Sequence, residues 1–532
     1  MRKKILQIYL ILLLAGIFGF FIFLGSYALL DVDETRYVHM AEQMFKTKDF
    51  MTLYLNGDYF FEKPPMFFWL ECFSFKIFGS INEFTARLPI VLLSFLPVSL
   101  LFDLCRRVKN IKFAFICTLT LLTSFEYVIL SKIAILDSVF TSFLTASCLC
   151  YLYTFYVKNK NKKYFWYLTY IFSALAVLTK GLPGIAIPVL LIGITSFIFK
   201  TQKESIKYSS LGIILFLLIT LPWHIIMLKM YNSYFFEEYI YKHHILRFLG
   251  SPVIDRTKPW YFYLETLLWG FLPHIFVFIS YLADKIRKTK ANPLPQLFAF
   301  KFLGYNIITA LIILVFFSIS KGKLATYILP LYPFLSVLTG FIWLEYINKD
   351  NIFIKYALLS FNIFIAAATV AACFAKLVLP SDIYCSFKPV QITFILLCMP
   401  FAVYNIFLIY KNYRLKLFIS LCFFTSLFIG ILTPVIYNFN YSFGQNDLML
   451  YAKSAKDENK TISTYLTGKK YSLLFYSGLS YIDYKLEKDN KWFIKELNKK
   501  NNILIVRNKD LKNLPSNIKI AEKGRKYSVI EK

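Results

Sequence analysis

The chain is predicted to fold as an all-α polytopic membrane protein with a small C-terminal α/β domain outside the membrane, and three observations predict it. Hydrophobic residues make up 58% of the sequence, more than a soluble domain of this length carries. Apolar runs of about 20 residues, long enough to cross a hydrocarbon core as helices, recur from Ile5 to about Tyr437. From Ser442 onward such runs stop and the composition turns polar and lysine-rich. This divides the chain into a membrane domain over residues 1–441 and a C-terminal domain over residues 442–532.

The first run, Ile5 to Leu30, follows Met1, Arg2, Lys3 and Lys4 as in a signal peptide, but it is too long and lacks a small-residue cleavage site, so it reads as a retained signal anchor. With it, about 13 spans are expected. They lie near 5–30, 84–105, 113–131, 133–157, 165–179, 181–200, 209–229, 261–283, 303–319, 326–346, 353–378, 391–411 and 416–437. When these alternate, the basic loops, including Arg106/Arg107/Lys109, Lys158 to Lys163, Lys200 to Lys207 and Lys285 to Lys290, fall with the N-terminus on one side, which is then the cytoplasm. The segments Asp31 to Glu83 and Met230 to Trp260, the Lys321/Lys323 turn and the C-terminal domain fall outside. MFFWLECFSFKIFG, after Pro64 and Pro65, is too short to span and reads as a helix lying in the interface. In the C-terminal domain TISTYL, SLLFYS and NNILIVRN read as strands and NKWFIKELNK as a helix, with no catalytic part assigned.

A net charge of +29 is spread over short loops and the tail rather than one patch, so anionic lipid headgroups are expected as partners and nucleic acid is not. The nine cysteines show no CxxC spacing and read as buried small hydrophobes. Cys72 and Cys385 both fall on the predicted outside, where a disulfide is chemically allowed.

The informative residues lie in the first outer segment: Asp31, Asp33, Glu34 and Arg36 directly after the first span, and Glu62, Lys63, Pro64 and Pro65 ahead of the interfacial helix. Carboxylates at the headgroup plane can take a proton from an acceptor hydroxyl or hold a divalent cation, and a lysine there can neutralise a phosphate. Charged residues flanking spans are more often solvated anchors. The topology, however, sends Asp137 with Lys132, Lys180, His243, His244, Arg247, Lys321 and Lys323 to the same face. An ionisable residue at membrane depth is costly and points to function, against the plain alternatives of a capping Asp and a snorkelling lysine. The histidines could ligate a metal and Arg247 could clamp a phosphate, although a loop histidine is more often structural.

DETRYVHMAEQM, NGDYFFEKPPMFFWL, FGSINEFTARLP, LTKGLPG, HHILRF and SKGKLATYILP, in that order, resemble the bacterial aminoarabinose (4-amino-4-deoxy-L-arabinose) lipid A transferase family of GT-C glycosyltransferases, relatives of the protein O-mannosyltransferases. The resemblance runs from Asp33 to about Pro333. It implies an inverting transfer of a sugar from undecaprenyl phosphate to an acceptor outside the bacterial inner membrane, in that family a lipid A phosphate, with an effect on envelope charge and polymyxin resistance. It implies Asp33, Asp137 and Glu34 as catalytic acids, and Arg36, Lys63, Tyr59, Lys180, Arg247, Lys321 and Lys323 as substrate contacts. It implies Glu62 and His244 as positions able to hold a divalent metal, zinc, and no nucleotide cofactor. FFEKPP departs from the family's YFEKP, displacing Tyr59 by one position, and His243 stands where an acid commonly precedes the histidine. Three alternatives stay open: an O-mannosyltransferase-like enzyme using hydroxyl acceptors, a transporter or flippase for the same lipids, and a non-catalytic envelope assembly protein.

Overall fold

A computed structural model describes residues 2–246, 257–289, 301–379, 381–442, 444–514 and 518–531. Every stretch expected to span is helical over at least part of its length. Among the described residues seven helices are long and apolar enough to cross a membrane, or nine if two bent pairs each count as one span. The chain is therefore a multi-pass, mostly helical membrane protein with a mixed α/β domain at its C-terminus.

The membrane domain opens with α1 (Arg2–Gly16), continued by a π-helical turn at Ile17–Phe21. The expected first span to residue 30 stops there, because residues 22–30 leave the helix and turn. Their carbonyls do not go unmet: the buried Arg87 donates to Leu24, Tyr27 and Ala28 at 2.8–3.0 Å. Irregular backbone at this depth survives only where protein groups satisfy it. The first outer segment then forms α2 (Asp33–Thr47), a hairpin of β1 (Tyr54–Leu55) and β2 (Asp58–Tyr59), and α3 (Met66–Phe78). α3 is the short apolar helix expected at the interface, and it packs on α2 and on α4 (Glu83–Val108). Asn82 starts α4 with a capping box, accepting from the N–H groups of Phe84 and Thr85.

α5 (Ile111–Leu122) and α6 (Phe125–Ser131) meet at 64° instead of forming one straight span. α7 (Leu136–Tyr153), α8 (Asn159–Lys180) and α9 (Pro183–Phe199) follow, and α10 (Gln202–Phe235) runs far beyond the expected 209–229. A non-helical Asn232 kinks it, and π-helix continues over Phe236–Leu246, so YKHHIL is helical where a loop was expected. Helices Phe262–Gly270 and His274–Thr289 bend by 117° across Leu272–Pro273, where proline cannot donate to a continuing helix. Gly270 lets this bend pack closely, since a Cβ there would strike the Tyr332 hydroxyl and the Glu126 carboxylate. Later helices are Lys301–Ile319, Tyr332–Asn348, Ile352–Cys373, Ser381–Tyr410 and Arg414–Ser442.

The C-terminal domain begins with helix Gln445–Asp457 and holds strands β3 (Thr461–Tyr465), β4 (Asp483–Lys485), β5 (Asn502–Arg507), β6 (Lys519–Lys523) and β7 (Tyr527–Glu531). Their order is β4-β3-β5-β7-β6, with β3 parallel to β4 and β5, and β7 antiparallel to its neighbours. The strands expected in TISTYL and NNILIVRN and the helix in NKWFIKELNK are present. SLLFYS is instead a helix, Tyr471–Ser477. A short apolar run does not distinguish the two states by pattern, and here Leu473 and Leu474 are buried in the same apolar cluster as Leu448 and Tyr451 of Gln445–Asp457. Cys72 and Cys385 are both free thiols, the first buried and the second exposed, so the allowed disulfide does not form.

Candidate active site

α2 places the DE motif at a helix N-terminus, where acids are favoured by the exposed N–H groups and the helix dipole. Asp33 and Glu34 occupy its first turn, and Val32 offers no side-chain cap. The two acids then diverge. Glu34 is 1% exposed. Its Oε1 accepts from Arg87 Nε at 2.7 Å and the Ala134 N–H at 2.8 Å. Its Oε2 accepts from Arg87 Nη2 and the Leu30 N–H, each at 2.8 Å. Each oxygen already accepts two hydrogen bonds, so Glu34, expected as a catalytic acid, is instead buried in a structural pair with Arg87. An arginine just inside an apolar helix was the signal for this pair in the sequence.

Asp33 is half exposed, and its Oδ1 accepts from Arg36 Nη2 at 2.7 Å. Arg36 also donates to the Tyr37 hydroxyl at 3.1 Å and lies over the rings of Tyr37 and Phe60. Tyr37, which the sequence reading passed over, is buried beneath this pair. Burial pushes its phenol up; Arg36 opposes this, and the charges of Asp33, Asp137 and Glu62 add to it. The same phenol therefore feels all three carboxylates, which brings the first outer segment and the start of α7 to one place.

Beside this group is a cleft lined by Lys63, Lys180, His243, Ser320, Gly322 and Tyr327, with apolar walls from Leu182, Pro183, Phe316 and Phe317. Pro64 and Pro65 end the extended chain after β2 and start α3, which sets Lys63 at the rim. Lys180 ends α8 and pairs with Asp137, which also accepts from the Thr326 hydroxyl at 2.6 Å. The Lys180 ammonium sits 3.9 Å from the centre of the Tyr327 ring. Two ammonium groups and an imidazole thus share one cleft with apolar walls, a combination of charge and apolar surface that suits an anionic group on an apolar chain.

The remaining expected contacts are placed differently. Lys323 is buried and donates to the carbonyls of Lys258 and Ser320 at 3.2 and 2.5 Å, pinning a loop. Lys321 is exposed between two lining residues. Tyr59 and Phe61 point the same way along extended chain, so Tyr59 stacks on Phe61 and leans on Tyr231 instead of lining the cleft. Arg247 and the side chain of His244 lie outside the described residues. Glu62 is brought instead to His243, whose Nε2 lies 3.9 Å from Glu62 and 3.6 Å from Glu238. Glu238 is already bound by Lys242 at 2.9 and 3.0 Å, and among the described residues no three His, Cys, Asp or Glu side chains form a metal set. The expected metal pair of Glu62 and His244 therefore lies partly outside the described residues, and Glu62 is instead near His243.

Residues 8–236 match the family model described as dolichyl-phosphate-mannose-protein mannosyltransferase. A protein of uncharacterised function from Aquifex aeolicus (strain VF5) is 32% identical over 67% of this chain and 76% of its own length. The undecaprenyl phosphate-alpha-4-amino-4-deoxy-L-arabinose arabinosyl transferase 1 of Proteus mirabilis (strain HI4320) is 28% identical over 63% of this chain, which spans 59% of that curated relative. The chain belongs to the GT-C glycosyltransferases. It is a member of their polyprenyl-phosphate-sugar-dependent branch, to which the protein mannosyltransferases and the aminoarabinose transferases belong. The crystal structure of ArnT from Cupriavidus metallidurans bound to undecaprenyl phosphate is similar in fold, with a TM-score of 0.80 at 18% identity, covering 99% of this chain and 98% of that one. For this GT-C enzyme the transporter and assembly-protein alternatives fall away.

Proposed function

We propose that this enzyme moves a sugar, aminoarabinose or a related amino sugar, from undecaprenyl phosphate to a lipid A phosphate with inversion, on the periplasmic face of a bacterial inner membrane. The observation that carries the reading is the pairing of an open acid, Asp33, with a phosphate-receptive cleft bearing Lys63 and Lys180. The acceptor oxygen attacks the anomeric carbon, the bond from that carbon to the donor phosphate oxygen breaks, and its electron pair leaves with polyprenyl phosphate. Lys63 and Lys180 stabilise the charge that grows on the departing phosphate. Asp137 holds Lys180 in place through the ion pair, while Arg36 holds the Asp33 carboxylate in its orientation. A phosphate acceptor needs no proton removed. A hydroxyl acceptor does, and Asp33 would then take it; the match to the mannosyltransferase model supports keeping that second reading.

Mass spectrometry of lipid A and of polyprenyl-phosphate-linked sugars tests the proposal in cells with the gene deleted, complemented, or complemented with Asp33→Ala. One glycosyl mass should vanish from lipid A on deletion, the donor should accumulate, and only the wild type should restore both. An unchanged lipid A profile would remove lipid A as acceptor and turn attention to glycoproteins.

A further inference from the structure

The C-terminal domain bonds the membrane domain beside the site, chiefly at the segment leading into α2 and at the β1–β2 turn. Asp31, two residues before Asp33, accepts from the Ser472 N–H at 2.9 Å through Oδ1 and from the Ser472 hydroxyl at 2.7 Å through Oδ2. Thr35 of α2 donates to the same Oδ1 at 2.6 Å. Gln445 brackets the neighbouring backbone: its amide nitrogen donates to the Leu29 carbonyl, and its oxygen accepts from the Asp31 N–H at 3.4 Å. The Leu29 N–H donates to the Tyr476 hydroxyl at 3.0 Å, and that hydroxyl donates to Glu83 at 2.8 Å. At the second segment Asn56, in the turn between β1 and β2, exchanges two hydrogen bonds with the Ile482 backbone, at 3.1 and 2.7 Å.

These contacts fall on a stretch that the membrane domain holds only in part. Residues 22–32 are outside any helix, so their N–H and C=O groups need partners from elsewhere, and the direction in which α2 begins depends on those partners. Arg87 holds the carbonyls of Leu24, Tyr27 and Ala28 and Glu34 holds the Leu30 N–H, while Ser472, Gln445 and Tyr476 hold Leu29 and Asp31. Ser472 is fully buried and Gln445 nearly so, so this is a buried contact and not a surface touch. The domain also brings a ring into the site: Tyr471 is buried, and the charged groups acting on its phenol are Arg36, Glu62, Asp33 and Asp31.

We propose that the C-terminal domain is a positioning element of the active centre, in which Ser472, Gln445 and Tyr476 fix the Leu29–Asp31 segment and so aim Asp33 and Arg36 at the cleft. The inference rests on the transferase reading of that cleft. A reacting group displaced by about 1 Å loses on the order of 10²-fold in rate, while donor phosphate held by Lys63 and Lys180 on other elements is little affected.

The test uses full-length protein in lipid nanodiscs with undecaprenyl-phosphate-linked aminoarabinose and lipid A, reading kcat per folded molecule, donor KM, and hydrogen exchange over residues 24–40. Ser472→Ala with Gln445→Ala should lower kcat about tenfold or more, leave donor KM within about twofold, and speed exchange over 24–40 alone. Tyr476→Phe, which removes one hydroxyl, should act in the same direction more mildly, and Ser472→Thr, which keeps the hydroxyl, should restore kcat. Variants that reduce only the folded yield, with wild-type kcat per folded molecule, would overturn the proposal, as would a rise in KM matching the fall in kcat. Wild-type protein that transfers no sugar under any acceptor condition would sink the transferase reading itself and this inference with it.

Discussion

The Glu34 carboxylate and the Arg87 guanidinium form a two-point ion pair, Nε to Oε1 at 2.7 Å and Nη2 to Oε2 at 2.8 Å, with neither side chain more than 1% exposed. Arg87 spends its remaining donors on the carbonyls of Leu24, Tyr27 and Ala28, and Glu34 accepts from the N–H groups of Leu30 and Ala134. One pair thus ties α4, the unwound end of the first apolar run, the start of α2 and the loop before α7. Removing either partner leaves a buried charge uncompensated, which costs about 3–5 kcal/mol. Glu34→Ala and Arg87→Ala should each sharply reduce the folded fraction in detergent, measured by size-exclusion profile and melting temperature. Wild-type melting in either variant would contradict the structural role.

The Lys180–Asp137 pair leads to a prediction about activity instead. Asp137 accepts from Lys180 and Thr326, and Lys180 lines the cleft. Lys180→Ala should lower kcat/KM for the donor by about tenfold or more, through both a higher KM and a lower kcat, the loss of one charge-assisted contact worth about 1.5 kcal/mol or more. Asp137→Ala should do nearly as much, and the double variant no more than the worse single one, because the two residues act as a unit. Additive effects in this cycle would show that Asp137 acts on substrate independently of Lys180.

Glu71 on α3 gives a pH-dependent stability. It is fully buried, and neither oxygen has a hydrogen-bond partner among the described residues. Burial first, and the nearby Glu34 charge second, push its carboxyl well above the usual range, so the folded protein holds it protonated. Stability from this group is full below the pKa of an unfolded carboxyl, about 4.3, and is lost as pH rises from there toward the folded value. Glu71→Gln is neutral at every pH. It should melt with the wild type near pH 4 and above it at pH 8, by a margin of about 1–3 kcal/mol, the cost of an uncompensated buried group. Parallel melting curves across this range would refute the assignment.

Gly270 tests the packing of the bent pair. A methyl at this position meets the Tyr332 hydroxyl and Glu126, which are bonded to each other. Gly270→Ala should destabilise by about 1–3 kcal/mol through overpacking, seen as a lower melting temperature with unchanged donor KM. The same substitution made at Gly193, which has open space around its Cβ position and lies mid-helix in α9, should be neutral or mildly stabilising.

The sequence by itself determined the class of protein, because apolar run length and the polar C-terminal composition are local properties that a bilayer converts directly into spans and a separate polar domain. Alternation of the expected spans also led to the expectation that Asp33, Glu62, Lys63, Asp137 and Lys180 share one face, and in the structure Lys63 and Lys180 line one cleft, with Asp137 bound to Lys180. The sequence could not separate Asp33 from Glu34, adjacent residues of one motif, because their difference lies in what each faces: Arg87, 53 positions away, closes over one and leaves the other open. Nor could it give Lys323 to a loop carbonyl, His243 to Glu62, or Ser472 to Asp31 across 441 positions. Hydropathy and periodicity record how far a residue is from water, whereas an ion pair or hydrogen bond depends on an approach within about 3 Å, and only the packed helices set that distance.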